Sequence, residues 1–366
     1  MALLERYRTL VDWAEAVQCG GLRVSVVQRF GRDVEIGRKD VRYIFVSDPS
    51  WKNGSLFDRA TRMNAAILAA HPTLIHVNGL QFARQAVRLK RRRSHTPILL
   101  QDHASPMPRH YLNRWTLGQA LRRLDAVGFV SRDQAVPWVD AGLLRRNQTV
   151  YELMEGSTHF RLTSRAEARA VTGLGGSPLC LWVGRLDSNK DPLTVLRGFA
   201  KAVPSLPDAR LAMIYGSTDL LPSIEAWLAA NPAVAGRVQL LGQRPHADLE
   251  AVYNSADFFL LGSHHEGSGY AVLEALACGV TPIVTAIPSF RVLTDNGRVG
   301  GLWNCGDSNA LAELIVARQA AVSEETRRCV RGYFEGNFCW DVIGQRAVGV
   351  YRSLKERYPT APSARE

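Results

Sequence analysis

Apolar positions in this chain fall in short unbroken runs rather than in alternation. In the second half these are PLCLWVGRL (178–186), RLAMIYG (210–216), VQLLG (238–242), DFFLLGS (257–263) and TPIVTAI (281–287). Runs of this length and composition read as strands covered on both faces. Between them lie segments with helical period, beginning at Pro192, Pro222, Ala247 and Tyr270. The first half repeats the pattern with LRVSVVQ (22–28), VRYIFVS (41–47), LIHVNG (74–79), PILLQDH (97–103) and AVGFVS (126–131). Strands alternating with helices predict an α/β chain of two Rossmann-like parallel-sheet domains, 1–155 and 156–339. The stretch EGSTHFRLTSR (155–165) breaks the pattern and marks the boundary. The opening MALLERYRTLVDWAEA reads as one amphipathic helix without a signal-peptide core, and PTAPSARE after Tyr358 as a frayed end.

The length of 366 residues supports two domains. Hydrophobic residues at 46% and charged residues at 22% exclude a wholly disordered chain. No apolar run reaches the ~18 residues of a spanning helix. The six cysteines form no CxxC pair and no Cys/His cluster, so neither a disulfide framework nor a zinc site is expected, and a cytoplasmic location is the default. The net charge of +11 lies in the first half, where 24 Lys and Arg face 12 Asp and Glu in residues 1–150. That half is expected to face something anionic.

Ligands of parallel sheets bind beyond the carboxyl ends of the strands, so the residues just after strands carry the candidate chemistry. EGSGYAVLEALACG (266–279) follows DFFLLGS and opens a helix. Its small residues Gly267, Ser268 and Gly269 let backbone N–H groups approach a phosphate at a helix N-terminus. The carboxylate of Glu274 can accept both hydroxyls of a ribose, and Glu266 stands at the mouth of the loop. The alternative is a tight strand-to-helix connection with two solvated glutamates. In LWVGRLDSNKDP, Gly184 gives backbone room and the cations Arg185 and Lys190 suit a diphosphate. Surface charges beside Asp187 and Asp191 are the competing description. His103, Asn78 and Gly79 also close strands, and there capping or ordinary turn chemistry explains them equally well.

GRLDSNKDP followed by EGSGYAVLEALACG resembles the donor-binding signature of the retaining glycosyltransferases of family 4. Glu266 and Glu274, with seven residues between them, match that family's paired-glutamate motif, and Arg185 and Lys190 match its diphosphate-holding pair. The likeness covers most of residues 97–358, including GQRPHADLEAVYNSADFFLLGS and the closing NFCWDVIGQRAVGVYRSL. It implies a GT-B fold, two Rossmann-like domains facing a cleft, with the helix at 340–358 packed back on the first. It implies a UDP- or GDP-linked nucleotide-sugar as substrate, no cofactor and no metal. The implied roles are Glu274 on the ribose, and Arg185, Lys190 and the amides around Ser268–Tyr270 on the leaving diphosphate. Gly242, Gln243 and Arg244 would lie by the base, Glu266 by the transferred sugar, and His103 would reach that sugar from the first domain. Transfer would retain anomeric configuration.

Two departures from the family stand out. Set against that family, the chain is expected to begin inside the helix that follows the first strand and glycine-rich loop, for which Gly20–Gly21 is a poor substitute. The neighbour of that strand would then be left as an open edge. After TPIVTAI, where a glutamate is frequent, stand Pro288, Ser289 and Phe290. The basic run Arg88, Lys90, Arg91, Arg92 and Arg93 either caps a helix end or draws the protein to an anionic membrane surface on the inner face of the membrane. Three readings stay open: a transferase acting on a saccharide or lipid-linked acceptor in cell-surface polysaccharide or glycolipid synthesis, a catalytically weakened nucleotide-sugar-binding module, and a basic nucleic-acid-binding protein. The last lacks a recognition helix or an aromatic-basic strand motif.

Overall fold

The computed structural model describes residues 2–48 and 60–358. The closing segment 359–366, expected to fray, lies outside the described residues. The chain divides into two compact units, residues 1–156 with 340–366, and residues 157–339.

Among its described residues, unit one holds seven strands: β1 (Ser25–Arg29), β2 (Val34–Arg38), β3 (Val41–Val46), β4 (Ile75–Asn78), β5 (Ile98–Gln101), β6 (Ala126–Phe129) and β7 (Thr149–Glu152). They form two sheets, where the hydrophobic pattern predicts one parallel array. The order β4-β5-β6-β7 is all parallel, while the small sheet runs β1-β3-β2, with β2 antiparallel to β3. The hairpin escaped the sequence reading because β2, VEIGR, has only two large apolar residues. Its turn uses Lys39 and Asp40, both at positive φ. β1 and β4 each end a sheet. The opening helix is also not one piece: Ala2–Arg6 and Arg8–Cys19 are separate helices that meet at Tyr7.

The parallel sheet buries Ile98, Leu100, Val127 and Phe129 against Leu80, Leu89, Leu117 and Leu121 from the flanking helices. The last helix, Trp340–Arg357, packs its buried face of Ile343, Ala347, Val348 and Tyr351 onto this unit. Gly344 lets it touch the helix Arg8–Cys19, since a Cβ there would fall 2.3 Å from the carbonyl oxygen of Ala16. On the adjoining β4, the ring of His76 packs edge-on against Trp13 and Tyr351, and its Nδ1 lies 2.7 Å from the Tyr351 hydroxyl.

Unit two is a single parallel sheet in the order β10-β9-β8-β11-β12-β13. Its strands are β8 (Leu179–Gly184), β9 (Arg210–Tyr215), β10 (Val238–Gly242), β11 (Phe258–Leu261), β12 (Thr281–Thr285) and β13 (Gly301–Trp303). The chain builds outward from β8 to β10, then returns to pair β11 with the other edge of β8. The order thus reverses between β8 and β11, the topological switch point where open α/β sheets take their ligands. At the amino ends of these two strands the carboxylate of Asp257 accepts the N–H of Leu179 and a guanidinium bond from Arg169, each at 2.8 Å, and pairs with Arg165. The helix Tyr270–Ala277 is held at its carboxyl end by cations. Arg331 donates to the carbonyls of Ala277 at 2.6 Å and Phe160 at 2.7 Å, and the buried Arg327 reaches the carbonyl of Cys278.

The enclosed ring of His76 has its pKa lowered to about 3, mainly by burial and secondarily by the charge of His103. A group whose folded pKa is depressed contributes stability that is present above its unfolded value of 6.5 and is lost as pH falls toward 3. Thermal unfolding of the full chain is therefore expected to weaken steadily through that window. His76→Gln should remove about one proton from the slope of stability against pH; an unchanged slope would assign the acid sensitivity to other groups.

Candidate active site

Two loops leave the carboxyl ends of β8 and β11. The first runs from Arg185 to Asp191, where an Asp191 at positive φ caps the helix Pro192–Ala202 by accepting the N–H of Thr194 at 3.3 Å. The second runs from Gly262 to Gly269. Asn189 joins them: its carbonyl accepts the N–H of His264 at 2.8 Å, and its side-chain amide bonds the N–H and the carbonyl of His265 at 3.1 and 3.0 Å. Gly262 permits the close approach, because a Cβ there would lie 3.0 Å from the carbonyl oxygen of Asp191.

Across this seam the ammonium of Lys190 forms an ion pair with Glu266, and both side chains are largely buried, at 15% and 13% exposure. The same carboxylate oxygen accepts the hydroxyl of Ser263 at 2.6 Å. Glu266 is thus held by an ammonium and a hydroxyl, each donating a charge-assisted bond to its carboxylate. Arg185 stands apart. Its guanidinium is two-thirds exposed and pairs with Asp187 at 3.2 Å, so the surface-charge description fits its resting position.

The turn 267–269 brings together a buried hydroxyl and a helix start. Gly269, at φ 71, precedes the helix Tyr270–Ala277, and no side chain caps it. A Cβ at Gly269 would fall 2.7 Å from the ring of Phe290. The Pro288–Phe290 segment, which stands where a glutamate is frequent in the resembled family, therefore serves as a buttress: Phe290 packs under the turn and Ser289 donates to the carbonyl of Glu266 at 3.4 Å. The hydroxyl of Ser268 is buried and has no hydrogen-bond partner among the described residues. An unspent donor beside a helix N-terminus suits an anionic oxygen.

Glu274 lies more than a turn further along, with its side chain 11% exposed, and accepts a bond from Nε2 of His246 at 2.8 Å. Neither glutamate is solvated, which overturns the alternative of two surface carboxylates. Tyr253 lies beside Glu274; burial and that negative charge push its phenol well above the ordinary range. His246 was not among the residues singled out from the sequence. It opens the helix His246–Ser255 directly after Gly242, Gln243 and Arg244, and its ring lies 5.0 Å from that of Phe160. The contact ties the segment after β10 to the second glutamate, although β10 is two strands removed from β8. Only its position at a helix start, after a strand, could have flagged it.

In unit one, His103 follows β5 and its Nδ1 lies 2.6 Å from Glu155, whose side chain is 6% exposed. Glu155 follows β7, so the pair sits at the carboxyl ends of the sheet. Burial raises the carboxyl of the adjoining Asp102 above its usual range. Asn78 ends β4, and Gly79, at φ 108, donates its N–H to the carbonyl of Gln101 at 2.7 Å, which extends the β4–β5 ladder by one bond. In the basic run, Lys90 pairs with Asp125 at 2.9 Å and Arg93 bonds His71 at 3.1 Å, so these two cations are engaged within the unit.

Residues 164–326 match the family model of glycosyl transferases group 1. Among curated relatives, the D-inositol 3-phosphate glycosyltransferase of Thermobispora bispora is 30% identical over 54% of this chain and 48% of its own length. The GDP-mannose:cellobiosyl-diphosphopolyprenol alpha-mannosyltransferase of Xanthomonas oryzae is 24% identical over 82% of this chain and 79% of its own. The match to the inositol phosphate enzyme thus spans about half of that relative. A sucrose-phosphate synthase structure from Thermosynechococcus elongatus superposes with a TM-score of 0.72 at 23% identity, covering 95% of this chain and 93% of that one. The Anabaena protein HepE in complex with UDP gives 0.68 at 17% identity, covering 86% of each.

Breaking the Lys190–Glu266 pair from one side strands a largely buried carboxylate. Lys190→Met is expected to destabilise the protein by about 3 kcal/mol, and adding Glu266→Gln should recover more than half of the loss. Additive losses in denaturant unfolding would show that the two side chains are not coupled. The fold is GT-B, and the match to the family model of glycosyl transferases group 1 lies within its second unit.

Proposed function

We propose that the protein is a retaining glycosyltransferase that moves a sugar from a UDP- or GDP-linked donor to a saccharide or lipid-linked acceptor, in cell-surface polysaccharide or glycolipid synthesis. The observation that carries this reading is the convergence at the switch point of unit two. Lys190, the unpartnered hydroxyl of Ser268 and an uncapped helix start gather beyond the ends of adjacent strands, with Glu266 and Glu274 on either side. Cations and donors fixed there meet the charge that grows on a departing diphosphate.

In this mechanism the bond between the anomeric carbon and the diphosphate oxygen breaks as the acceptor oxygen attacks from the same face. The acceptor proton passes to the departing diphosphate, which leaves as the nucleoside diphosphate. Ser268 and the N–H groups around Tyr270 hold the phosphate oxygens, and Lys190 and Arg185 offset their charge. Arg185, being exposed, swings inward from Asp187. The ribose diol takes Glu274 in place of His246, and Glu266, already held by Lys190 and Ser263, accepts hydroxyls of the transferred sugar. No residue in this account requires a metal ion, because the protein's own cations stabilise the leaving group.

The relatives support these classes of substrate. One is named for an inositol phosphate acceptor and another for a diphosphopolyprenol acceptor with GDP-mannose, while HepE is described with UDP and with UDP-glucose. A membrane-side location of the acceptor fits the last-named lipid class. Among the described residues no helix is long and apolar enough to cross a membrane.

A thermal-shift screen against UDP, GDP, ADP and their sugars, followed by turnover of the hit, tests the reading. The right nucleotide should stabilise the protein by mass action. Glu274→Ala should weaken its binding at least about tenfold, and Lys190→Ala should mainly lower kcat. NMR of the product should show the donor's anomeric configuration. Binding without turnover would instead make the chain a nucleotide-sugar-binding module, and wild-type behaviour of both variants would remove the site assignment.

A further inference from the structure

The stretch Arg109–Trp115, RHYLNRW, is exposed at every position. It forms the approach and first turns of the helix Tyr111–Leu121 in unit one, directly after the loop that leaves the carboxyl end of β5. Tyr111, Leu112 and Trp115 stand 72%, 47% and 62% exposed, and they are three of the seven large hydrophobic side chains in the described residues with this exposure. Their spacing places them within about 100° of the helix circumference, so they form one apolar face rather than scattered side chains. Farther along, the helix turns inward and buries Leu117, Ala120 and Leu121. The apolar triad is thus not a mispointed core face.

The electrostatic setting of this face is one-sided. From His103 to Leu124 the sequence holds Arg109, Arg114, Arg122 and Arg123 and no Asp or Glu. Arg109 and Arg114 flank the triad, and Arg114 also donates to the carbonyl of Ala141 at 3.3 Å. Basic side chains beside an exposed apolar face complement a surface of anionic head groups, although an acid from elsewhere in the chain, the exposed Asp140, adjoins the Ala141 carbonyl that Arg114 contacts. Tyr and Trp have an apolar body and a polar edge, which suits the boundary between head groups and acyl chains.

We propose that Tyr111, Leu112 and Trp115 dock unit one on an anionic lipid bilayer, with Arg109 and Arg114 against its phosphates. The site differs from the basic run at 88–93. The helix Ala83–Arg92 leads into the amino end of β5, whereas RHYLNRW follows its carboxyl end, so the two clusters lie at opposite ends of that strand. The basic run also spends Lys90 on Asp125 and Arg93 on His71, and neither its Arg88 nor its Arg91 or Arg92 is accompanied by exposed large apolar side chains. Attraction alone fades with salt; insertion of apolar side chains gives a second, less salt-sensitive hold. The inference does not depend on the transferase reading.

The test is flotation of the full chain with phosphatidylcholine vesicles, with and without phosphatidylglycerol. The protein should float with the anionic vesicles only. Tyr111→Ala combined with Trp115→Ala should lower the partition coefficient at least about tenfold, without a change in Tm, since both side chains are exposed. Brominated acyl chains should quench part of the tryptophan fluorescence, and Trp115→Phe should abolish that part. Four results would overturn the proposal: no flotation with anionic vesicles, unchanged flotation of the double variant, quenching that survives Trp115→Phe, or loss in the double variant of a self-association seen by light scattering, which would give this face to a second copy of the chain.

Discussion

The ion pair between Lys190 and Glu266 is the constraint on which the site rests. It crosses from the loop after β8 to the loop after β11, the two strands between which the sheet order reverses. Two charges this deeply placed are tolerable only because each answers the other, and because Ser263 satisfies the same carboxylate oxygen. Asn189 and the bare backbone of Gly262 keep the loops close enough for the pair to form. The seam also orients the turn 267–269, which Phe290 supports from beneath. In the proposed transferase, such fixed charge would meet the diphosphate with little reorganisation of Lys190 and Glu266.

The second acidic group is held differently. Glu274 sits on a helix whose carboxyl end is clamped by Arg327 and Arg331, so its backbone is anchored, while its side chain is engaged by the exposed imidazole of His246. A buried carboxylate paired to a solvent-exposed partner is satisfied at rest and can exchange that partner for hydroxyl donors at little cost. The contrast between a locked Glu266 and an exchangeable Glu274 fits a site in which one carboxylate belongs to the catalytic frame and the other recognises a ligand that comes and goes.

Much of this was legible from residue order. The continuous apolar runs identified the parallel strands of unit two, and the positions after strands singled out Arg185, Lys190, Glu266 and Glu274. What escaped has physical reasons. Strand β2 carries too few apolar residues to register as a strand, and its pairing depends on a turn with two positive-φ residues that are not glycine. The division of unit one into two sheets is a matter of which strands pair, and strand composition does not encode pairing. His246 and Glu155 act through partners 28 and 52 positions away, and one residue's type gives no sign of such a contact. The exposed triad at 111–115 drew no reading from the sequence, because exposure is a property of the fold.

The most direct measurement of the central claim is a crystal structure with an unreactive nucleotide-sugar bound. The account predicts the diphosphate against Ser268 and the start of the helix Tyr270–Ala277, Arg185 and Lys190 on its oxygens, and the ribose diol on Glu274 with His246 displaced. A complex in which the nucleotide binds elsewhere, while His246 still occupies Glu274 and the hydroxyl of Ser268 still lacks a partner, would contradict it.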